Sequence, residues 1–282
     1  AERTLVAEEE IWPAADGLSD DQLIALAISG TGALIPLEEA RIAKGESVLI
    51  LGATGPVGQI GTQVARLLGA GRVVAAARGR ERLEAMQAAG HADAIALLGE
   101  GDDEAALKAV SEGGYDVVLD IIYGPPAEAA MRATRPGARM MSIGVQAGPT
   151  VTLSLRDLVF RSHIGVGTGQ RPASERRAAY DRLIAMAMTR SLAVDTTRYA
   201  FADAAEAWAA QAGSPHGNIL ITLYSHGRAC LYRPYRPHFR RCAAGRRLQP
   251  LALCRPPVRT GACLDRALRQ RAGPCDGPYR LG

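Results

Sequence analysis

The amino-acid sequence predicts an α/β protein built on a doubly wound parallel sheet. Short runs of Val, Ile, Leu and Ala alternate with amphipathic stretches over residues 1–224, which is typical of parallel strands covered by helices. A glycine-containing loop joins the first apolar run to the first helical stretch. Residues 225–282 do not continue this pattern and hold 13 Arg, 7 Pro and all five Cys of the chain. The fold is therefore predicted for residues 1–224 alone.

The apolar runs give the strands of the predicted sheet. The first run, Ser47–Leu51, is apolar after its first residue and lies between Gly45 and Gly52, which favours a buried strand. Further strands are predicted at 72–77, 94–97, 116–120, 138–143 and 163–166. Pro136-Gly137 is interpreted as the turn that leads into the fifth strand.

The stretches between these runs give the helices. Helical spacing puts Ile60 and Val64 on one face of the first helix, and Gly90 ends the second. The helices are predicted at 58–68, 80–89, 103–111, 125–134 and 173–189. Tyr180 and Trp208, each on a helical stretch, are expected to be core residues rather than substrate contacts.

The loop after the first strand has the features of a dinucleotide site. Ala53, Gly55 and Gly58 give the spacing A-x-G-x-x-G between a predicted strand and a predicted helix. Gly55 lets the backbone approach a pyrophosphate, and Gly58 lets the helix pack against the strand. The N–H groups and the dipole of the helix start then face the phosphates. A tight turn without a ligand is the alternative, whereas a P-loop is excluded because no G-K-S or G-K-T exists.

The residues after the second strand predict NADP rather than NAD. An NAD site has an Asp or Glu at this strand end, but here the strand ends in the alanines of 75–77. Arg78, Arg80 and Arg82 follow at once. Arg78 and Arg82 are four residues apart and are expected to share one side of the helix start, where a guanidinium could pair with a phosphate. The alternative is a solvated basic helix face.

Residues 1–223 resemble the medium-chain dehydrogenase/reductase superfamily, and most closely its zinc-independent, quinone-oxidoreductase-like branch. The likeness rests on the loop at 53–58 and on the segments 16–20, 45–50, 115–120, 135–139 and 217–221. It implies an NADPH-binding Rossmann domain beside a β-rich GroES-like domain, and hydride transfer to a quinone, an enone or a carbonyl. The cofactor contacts expected from the loop and from the resemblance are Ala53, Thr54, Gly55, Pro56, Val57, Gly58, Arg78, Arg82, Asp120, Ile143 and Gly144.

The resemblance also divides the chain into four parts. These are a remnant of the GroES-like catalytic domain (1–26), the NADP-binding Rossmann domain (27–196), a return segment of the catalytic domain (197–223) and an Arg/Pro/Cys-rich tail (224–282). The superfamily's catalytic domain is much longer than the 46 residues before the first strand, so we expect only its margins here. Two functions remain open: an NADPH-dependent oxidoreductase impaired by truncation, and a non-catalytic NADP-binding fragment.

Individual residues argue against a metal site and against short-chain dehydrogenase chemistry. No Cys occurs before Cys230 and no His-Glu pair occurs anywhere, so no metal site is expected. A short-chain dehydrogenase needs a Tyr four residues before a Lys, and neither Lys44 nor Lys108 has one. His163 is interpreted as a structural residue rather than a base. Asp120 is either a ligand-facing group at a strand end or a carboxylate that caps a loop.

The charge of the chain is divided unevenly between residues 1–224 and the tail, which bears on the partners we predict. The net charge of +4 combines −7 over residues 1–224 with +11 over residues 225–282. The basic tail could bind nucleic acid, could be a disordered extension, or could be out-of-frame translation; we favour the last, and predict no nucleic-acid partner. No apolar run reaches the ~18 residues of a membrane span, so a cytoplasmic protein without a membrane partner is predicted. The resemblance implies a small-molecule quinone or carbonyl substrate, and leaves open a homodimer through a sheet edge.

Overall fold

The computed structural model describes residues 11–190, 192–213 and 216–222. These residues lie in one of the two units of the chain, Val6–Ala229, and the other unit falls wholly outside the described residues. The predictions for the tail, residues 224–282, and for residues 1–10 of the N-terminal remnant therefore also lie outside them.

A six-stranded parallel sheet forms the centre of the described residues, which confirms the predicted fold class. Its strands are β1 (Ser47–Leu51), β2 (Arg72–Ala77), β3 (Ala94–Leu97), β4 (Tyr115–Asp120), β5 (Thr134–Ser142) and β6 (Ser162–Gly165). They lie in the order β3-β2-β1-β4-β5-β6, which is that of a dinucleotide-binding doubly wound sheet. Leu51, the last residue of β1, pairs with Ala76 of β2 and with Asp120 of β4, so these strands end at a common edge.

Helices cover both faces of this sheet. The α-helices of the described residues are α1 (Asp20–Ala25), α2 (Thr31–Glu39), α3 (Pro56–Leu67), α4 (Arg80–Ala88), α5 (Asp103–Ala109), α6 (Pro125–Arg132), α7 (Leu155–Leu158), α8 (Ala173–Thr189) and α9 (Ala204–Ala212), of which α9 packs against a second, smaller sheet. A π-helical turn, Leu26–Gly30, joins α1 to α2, and the capping box of Ser19 and Gln22 begins α1.

The alternating side chains of β1 divide the core into two layers. Val48 and Ile50 belong to the cluster that contains Leu183 of α8, whereas Leu49 belongs to the cluster that contains Leu107 of α5. All five residues of β1 are buried, because a central parallel strand has helices on both sides.

Two predictions need correction. The fifth strand begins at Thr134, so Pro136 and Gly137 lie inside β5 rather than in a turn before it. The pairing of β4 with β5 is irregular at this point, which accommodates a residue that has no N–H. Trp208 on α9 has 80% of its surface exposed, so it is not a core residue, whereas Tyr180 is buried as expected.

A second, two-stranded sheet lies near the end of the described residues. The strands β7 (Thr196–Ala200) and β8 (Asn218–Thr222) are parallel, and α9 lies between them in the chain. No residue of either strand is buried. Apart from Thr196, these strands and α9 fall in the segment 197–223 that the resemblance assigns to the catalytic domain, and that assignment stays a prediction.

Candidate cofactor site

The loop between β1 and α3 is held in place by the neighbouring strand and by one close contact. The N–H groups of Gly52 and Ala53 donate to the carbonyl of Ala76, at 2.9 and 3.1 Å. A Cβ on Gly58 would lie 2.5 Å from Ala53 Cα, so α3 could not approach the loop with a larger residue there. This confirms the close helix–strand packing predicted for Gly58.

The start of α3 is half-buried at residues 55–57 and carries two free N–H donors. Gly55 is the N-cap and Pro56 the first helical residue. The N–H groups of Val57 and Gly58 follow, and neither has an acceptor among the residues that the structure describes. Within that part of the chain, a Cβ on Gly55 would meet only Gly52 O within 4 Å, at 3.6 Å. The surface before the helix therefore has room for an anion beside two free donors.

The two arginines expected to recognise a phosphate are positioned by different elements. Arg82 lies in the first turn of α4, but Arg78 precedes the N-cap Gly79 and is placed by the end of β2. The expectation that the two share one side of a helix was therefore wrong, because α4 begins only at Arg80. Both are exposed. Arg80, which lies between them in the chain, forms an ion pair with Glu100 at 3.1 Å.

His216 contacts the loop and feels the charges of both arginines. Its Nδ1 lies 3.1 Å from Thr54 Oγ1. Burial lowers the pKa of His216, and the positive charges of Arg82 and Arg78 lower it further. Arg82 is also tied to the start of α3, because Asp195 Oδ2 lies 3.1 Å from Arg82 Nη1 and 3.3 Å from Gln59 Nε2.

Gln59 on α3 fixes two distant segments against this loop. Its Nε2 donates to the carbonyl oxygens of Thr54 and His216, at 2.9 and 2.7 Å. Its Oε1 accepts the N–H of Asp195 at 2.8 Å. One turn later, Gln63 exchanges two hydrogen bonds with the backbone of Ala193. Sequence reasoning missed these contacts, since only the spacing of the two glutamines on one helix face signals them.

Asp120 ends β4 and caps the loop that follows. Its carboxylate is fully buried and accepts the N–H groups of Ile122 and Tyr123 and the hydroxyl of Ser142, at 3.1, 2.8 and 2.7 Å. Burial raises the pKa of Asp120, and these hydrogen bonds oppose the shift. The structure favours the loop-capping interpretation, because the buried carboxylate holds the loop after β4 and is not exposed to a ligand at the strand end.

His163 completes this network. Because the single proton of the Ser142 hydroxyl goes to Asp120, the Nε2–H of His163 donates to Ser142 Oγ at 3.0 Å. The imidazole also stacks on Tyr123, with 5.8 Å between ring centroids. Both contacts agree with the structural role predicted for His163.

Ile143 and Gly144 follow β5 at the same edge. The N–H of Ile143 donates to Asp120 O at 2.9 Å, and a Cβ on Gly144 would lie 2.0 Å from Ile121 O. The loop after β4 in turn contacts the loop after β1, because a Cβ on Gly52 would lie 2.7 Å from Ile122 Cγ2. The predicted cofactor residues are thus brought to one edge of the sheet: Arg78 and Arg82 at β2, 53–58 at β1, Asp120 at β4, and Ile143 and Gly144 at β5.

Neither a metal-binding cluster nor a membrane-spanning helix occurs in the part of the chain that the structure describes. Within it, no group of three or more His, Cys, Asp or Glu side chains is arranged to hold a metal ion. No helix there has the length and apolar character of a membrane span. Zinc independence remains a prediction.

Known proteins resemble this chain over the site. Residues 56–185 match the family model described as zinc-binding dehydrogenase. Quinone oxidoreductase-like protein 2 of Bos taurus is 25% identical over 168 residues, which cover 59% of this chain and 48% of that protein. The chain thus spans about half the length of this relative.

Two solved structures have the same fold. The quinone oxidoreductase of Pseudomonas syringae pv. Tomato DC3000 is 23% identical with a TM-score of 0.67, over 76% of this chain and 68% of that one. CurA of Vibrio vulnificus, solved in complex with NADPH, is 17% identical with a TM-score of 0.62, over 71% of this chain and 64% of that one. With the strand order and the loop of α3, the family-model match and these similarities support a quinone-oxidoreductase-like member of the medium-chain dehydrogenase/reductase superfamily.

Proposed function

We propose that this chain binds NADP(H) across the edge formed by β2, β1, β4 and β5, as the nucleotide-binding part of an NADPH-dependent oxidoreductase. The observation that carries the proposal is the start of α3, where Gly55 leaves room beside the free N–H groups of Val57 and Gly58. Open α/β sheets bind their ligands at this edge, and dinucleotides place the pyrophosphate at such a helix start.

The residues beside the loop support NADP(H) rather than NAD(H). Arg78 and Arg82 add two positive charges near Thr54, and β2 ends in Ala77 without a carboxylate. A guanidinium pairs well with the 2′-phosphate that distinguishes NADP(H). The similar fold of CurA, solved with NADPH, agrees with this assignment.

The nicotinamide half would lie over the ends of β4 and β5. When bound, NADPH supplies the hydride that a quinone, enone or carbonyl acceptor takes up. The chain's own part is to hold this edge rigid: Asp120 fixes the backbone N–H groups of Ile122 and Tyr123, and the N–H of Ile143 donates to the Asp120 carbonyl. Gly144 lets the two loops approach, because a side chain there would overlap Ile121.

Catalysis also needs a second wall that holds the acceptor within ~3–3.5 Å of the nicotinamide. Exposed apolar side chains support our division of the chain into margins of a catalytic domain and a central Rossmann domain. Trp208 and Phe201 in the proposed return segment are 80% and 40% exposed, as expected of a surface that packs against further protein. We therefore propose that the described residues bind the cofactor but lack this wall. A binding fragment without catalysis is the alternative.

Two finer assignments complete the proposal. A homodimer through β6 is supported by the position of this strand at the outer edge of the sheet, with Ile164 39% exposed. We also place the protein in the cytoplasm, with a small-molecule acceptor as its substrate.

The test is equilibrium binding of NADPH, followed by fluorescence, to the wild-type chain and to Gly55→Val. The Cβ of Val would meet only Gly52 O, at an ordinary contact distance of 3.6 Å, and the side chain would occupy the space before α3, so binding is expected to be lost while the melting temperature stays the same. The matched control is Gly169→Val, which adds the same side chain at a position where a Cβ would meet no atom within 4 Å. This variant should bind NADPH as the wild type does. Undiminished NADPH binding by Gly55→Val would contradict the proposal, and steady reduction of a simple quinone by the wild-type chain would contradict the missing wall.

A further inference from the structure

Asp195 lies between the starts of the two helices that follow β1 and β2. Its Oδ2 accepts Nη1–H of Arg82 at 3.1 Å and Nε2–H of Gln59 at 3.3 Å. The Asp195 N–H donates to Gln59 Oε1 at 2.8 Å, which fixes the backbone that carries the carboxylate. This position is the one that the adenosine half of a dinucleotide would cross in a doubly wound sheet.

The carboxylate supplies a group that β2 lacks. NAD-binding sheets present an acid at the end of the second strand, where it accepts a hydrogen bond from the ribose 2′-hydroxyl. Here that strand ends in Ala77, and the acid near its end comes instead from a segment 113 positions beyond Arg82. Arg82, which favours NADPH, and Asp195, which favours NADH, are therefore in direct contact.

We propose that Asp195 sets the cofactor preference of this site, by accepting the adenosine 2′-hydroxyl of NADH and by competing with the 2′-phosphate of NADPH for Arg82. The inference rests on the dinucleotide site proposed above and concerns its selectivity alone. With NADPH, the 2′-phosphate takes the guanidinium but lies beside a second anion. With NADH, the Arg82–Asp195 pair stays closed and the hydroxyl donates to the carboxylate.

The pair is weak enough to exchange partners. The side chain of Asp195 is 68% exposed and that of Arg82 is 45% exposed, so water and salt screen their attraction. A phosphate with its larger charge can replace the carboxylate at the guanidinium, and the carboxylate then opposes the bound phosphate. Asp195 should therefore cost NADPH affinity and add NADH affinity, which makes the site tolerant of both cofactors.

The experiment measures the dissociation constants of NADPH and NADH for the wild-type chain and for Asp195→Asn. The amide keeps the shape of the side chain and removes its charge. NADPH is expected to bind about two- to fivefold more tightly to the variant, the range that exposed ion pairs give, and NADH about as much more weakly. In Arg82→Gln, NADPH should lose affinity, and adding Asp195→Asn to that variant should improve NADPH binding less than it does in the wild type, because the competition for Arg82 is gone and only the repulsion between carboxylate and phosphate remains.

Asp181→Asn is the matched control, because Asp181 forms an exposed ion pair with Arg177 at 2.9 Å on α8. It should leave both dissociation constants unchanged. The inference is overturned if Asp195→Asn leaves the ratio of the two constants at the wild-type value, or weakens both cofactors alike, as a residue that only fixes its segment would. Failure of the wild-type chain to bind either cofactor would instead contradict the proposed function, so the two failures are distinguishable.

Discussion

Thr54 and His216 lie 3.1 Å apart, hydroxyl Oγ1 to imidazole Nδ1, although 162 positions separate them in the chain. The contact joins the loop after β1 to the segment that leads into β8. Burial lowers the pKa of His216, and the positive charges of Arg82 and Arg78 lower it further, so the neutral imidazole predominates at pH 7 and its pKa should respond to a charge that enters the loop.

The first prediction follows from this neutrality. An anion near Arg78 and Arg82 offsets their charges, so NADPH should raise the pKa of His216 and its binding should take up protons between pH 6 and 7. Calorimetry in two buffers of different ionisation enthalpy measures this uptake. The 2′-phosphate titrates in the same range, so the comparison with His216→Gln isolates the imidazole. Equal proton uptake by the variant and the wild type would refute the coupling.

His216 also makes a prediction about stability. Its pKa is lowered in the folded chain, and burial lowers that of His91 as well. The unfolded chain therefore binds protons first as the pH falls below the ordinary histidine value of 6.5, which favours unfolding. The midpoint of urea unfolding should fall between pH 6.5 and 5.5, and should fall less in a His91→Gln, His216→Gln double variant. A steeper fall in the double variant would reverse the expected sign.

Gly58 gives a prediction about packing. A Cβ there would lie 2.5 Å from Ala53 Cα and from Gly52 O, and these backbone atoms cannot move aside as a flexible side chain would. Gly58→Ala should lower the free energy of unfolding by about 1–3 kcal/mol or more. Gly169→Ala, which meets no atom within 4 Å, should change it by less than about 1 kcal/mol. Denaturant titration measures both, and equal stability of the two variants would contradict the close contact.

The sequence predicted the strands β1 to β4 because each is a largely apolar run between turn residues. Ser47–Leu51 is buried on both faces, so its continuous hydrophobicity indicates a central strand of the sheet. Gly58 could be interpreted for a similar reason, since its close contact is with residues only five or six positions away. Features that depend on residues close together in the chain can therefore be predicted from one sequence.

The contacts of Asp195 and His216 leave no such signal. Each depends on where a segment returns after more than a hundred residues, and neither residue belongs to a periodic stretch. Trp208 was misjudged because a large aromatic residue on a helix usually faces a core, and here no described element covers it. Pro136 was misjudged because its missing N–H disfavours a strand, whereas the irregular pairing of β4 with β5 accommodates it.

Asp120 yields a pH prediction of the opposite sense to that of the histidines. Burial raises its pKa, so the folded chain holds a proton that the unfolded chain has already released. Stability is therefore expected to fall as the pH rises from the ordinary aspartate value of 3.8 through the raised one. Asp120→Asn, with no charge to bury, should lack this decline. Unfolding midpoints of the two proteins across pH 4 to 7 test it, and parallel curves would show that Asp120 does not titrate there.

Asp120→Ala separates the hydrogen bonds of this residue from its charge. The change leaves the N–H groups of Ile122 and Tyr123 without their acceptor, at a cost of about 1–3 kcal/mol for each that stays buried. Asp120→Ala should therefore be clearly less stable than Asp120→Asn, whose amide oxygen can still accept both. Equal unfolding free energies would mean that the carboxylate does not cap the loop.

Neighbouring arginines provide the last prediction. Arg78 and Arg80 are both exposed, but Arg80 pairs with Glu100 at 3.1 Å, whereas the charge of Arg78 acts on His216 beside the loop. Arg78→Gln should weaken NADPH binding about three- to tenfold, since a guanidinium on a partly exposed phosphate contributes roughly 1 kcal/mol. Arg80→Gln removes the same charge two positions away and should leave the dissociation constant unchanged. Because salt screens the contact that Arg78 makes, raising the ionic strength from 0.05 to 0.5 M should narrow the difference between the two variants. An equal effect of both changes at low salt would mean that the field of the basic segment, and not a specific contact, attracts the phosphate.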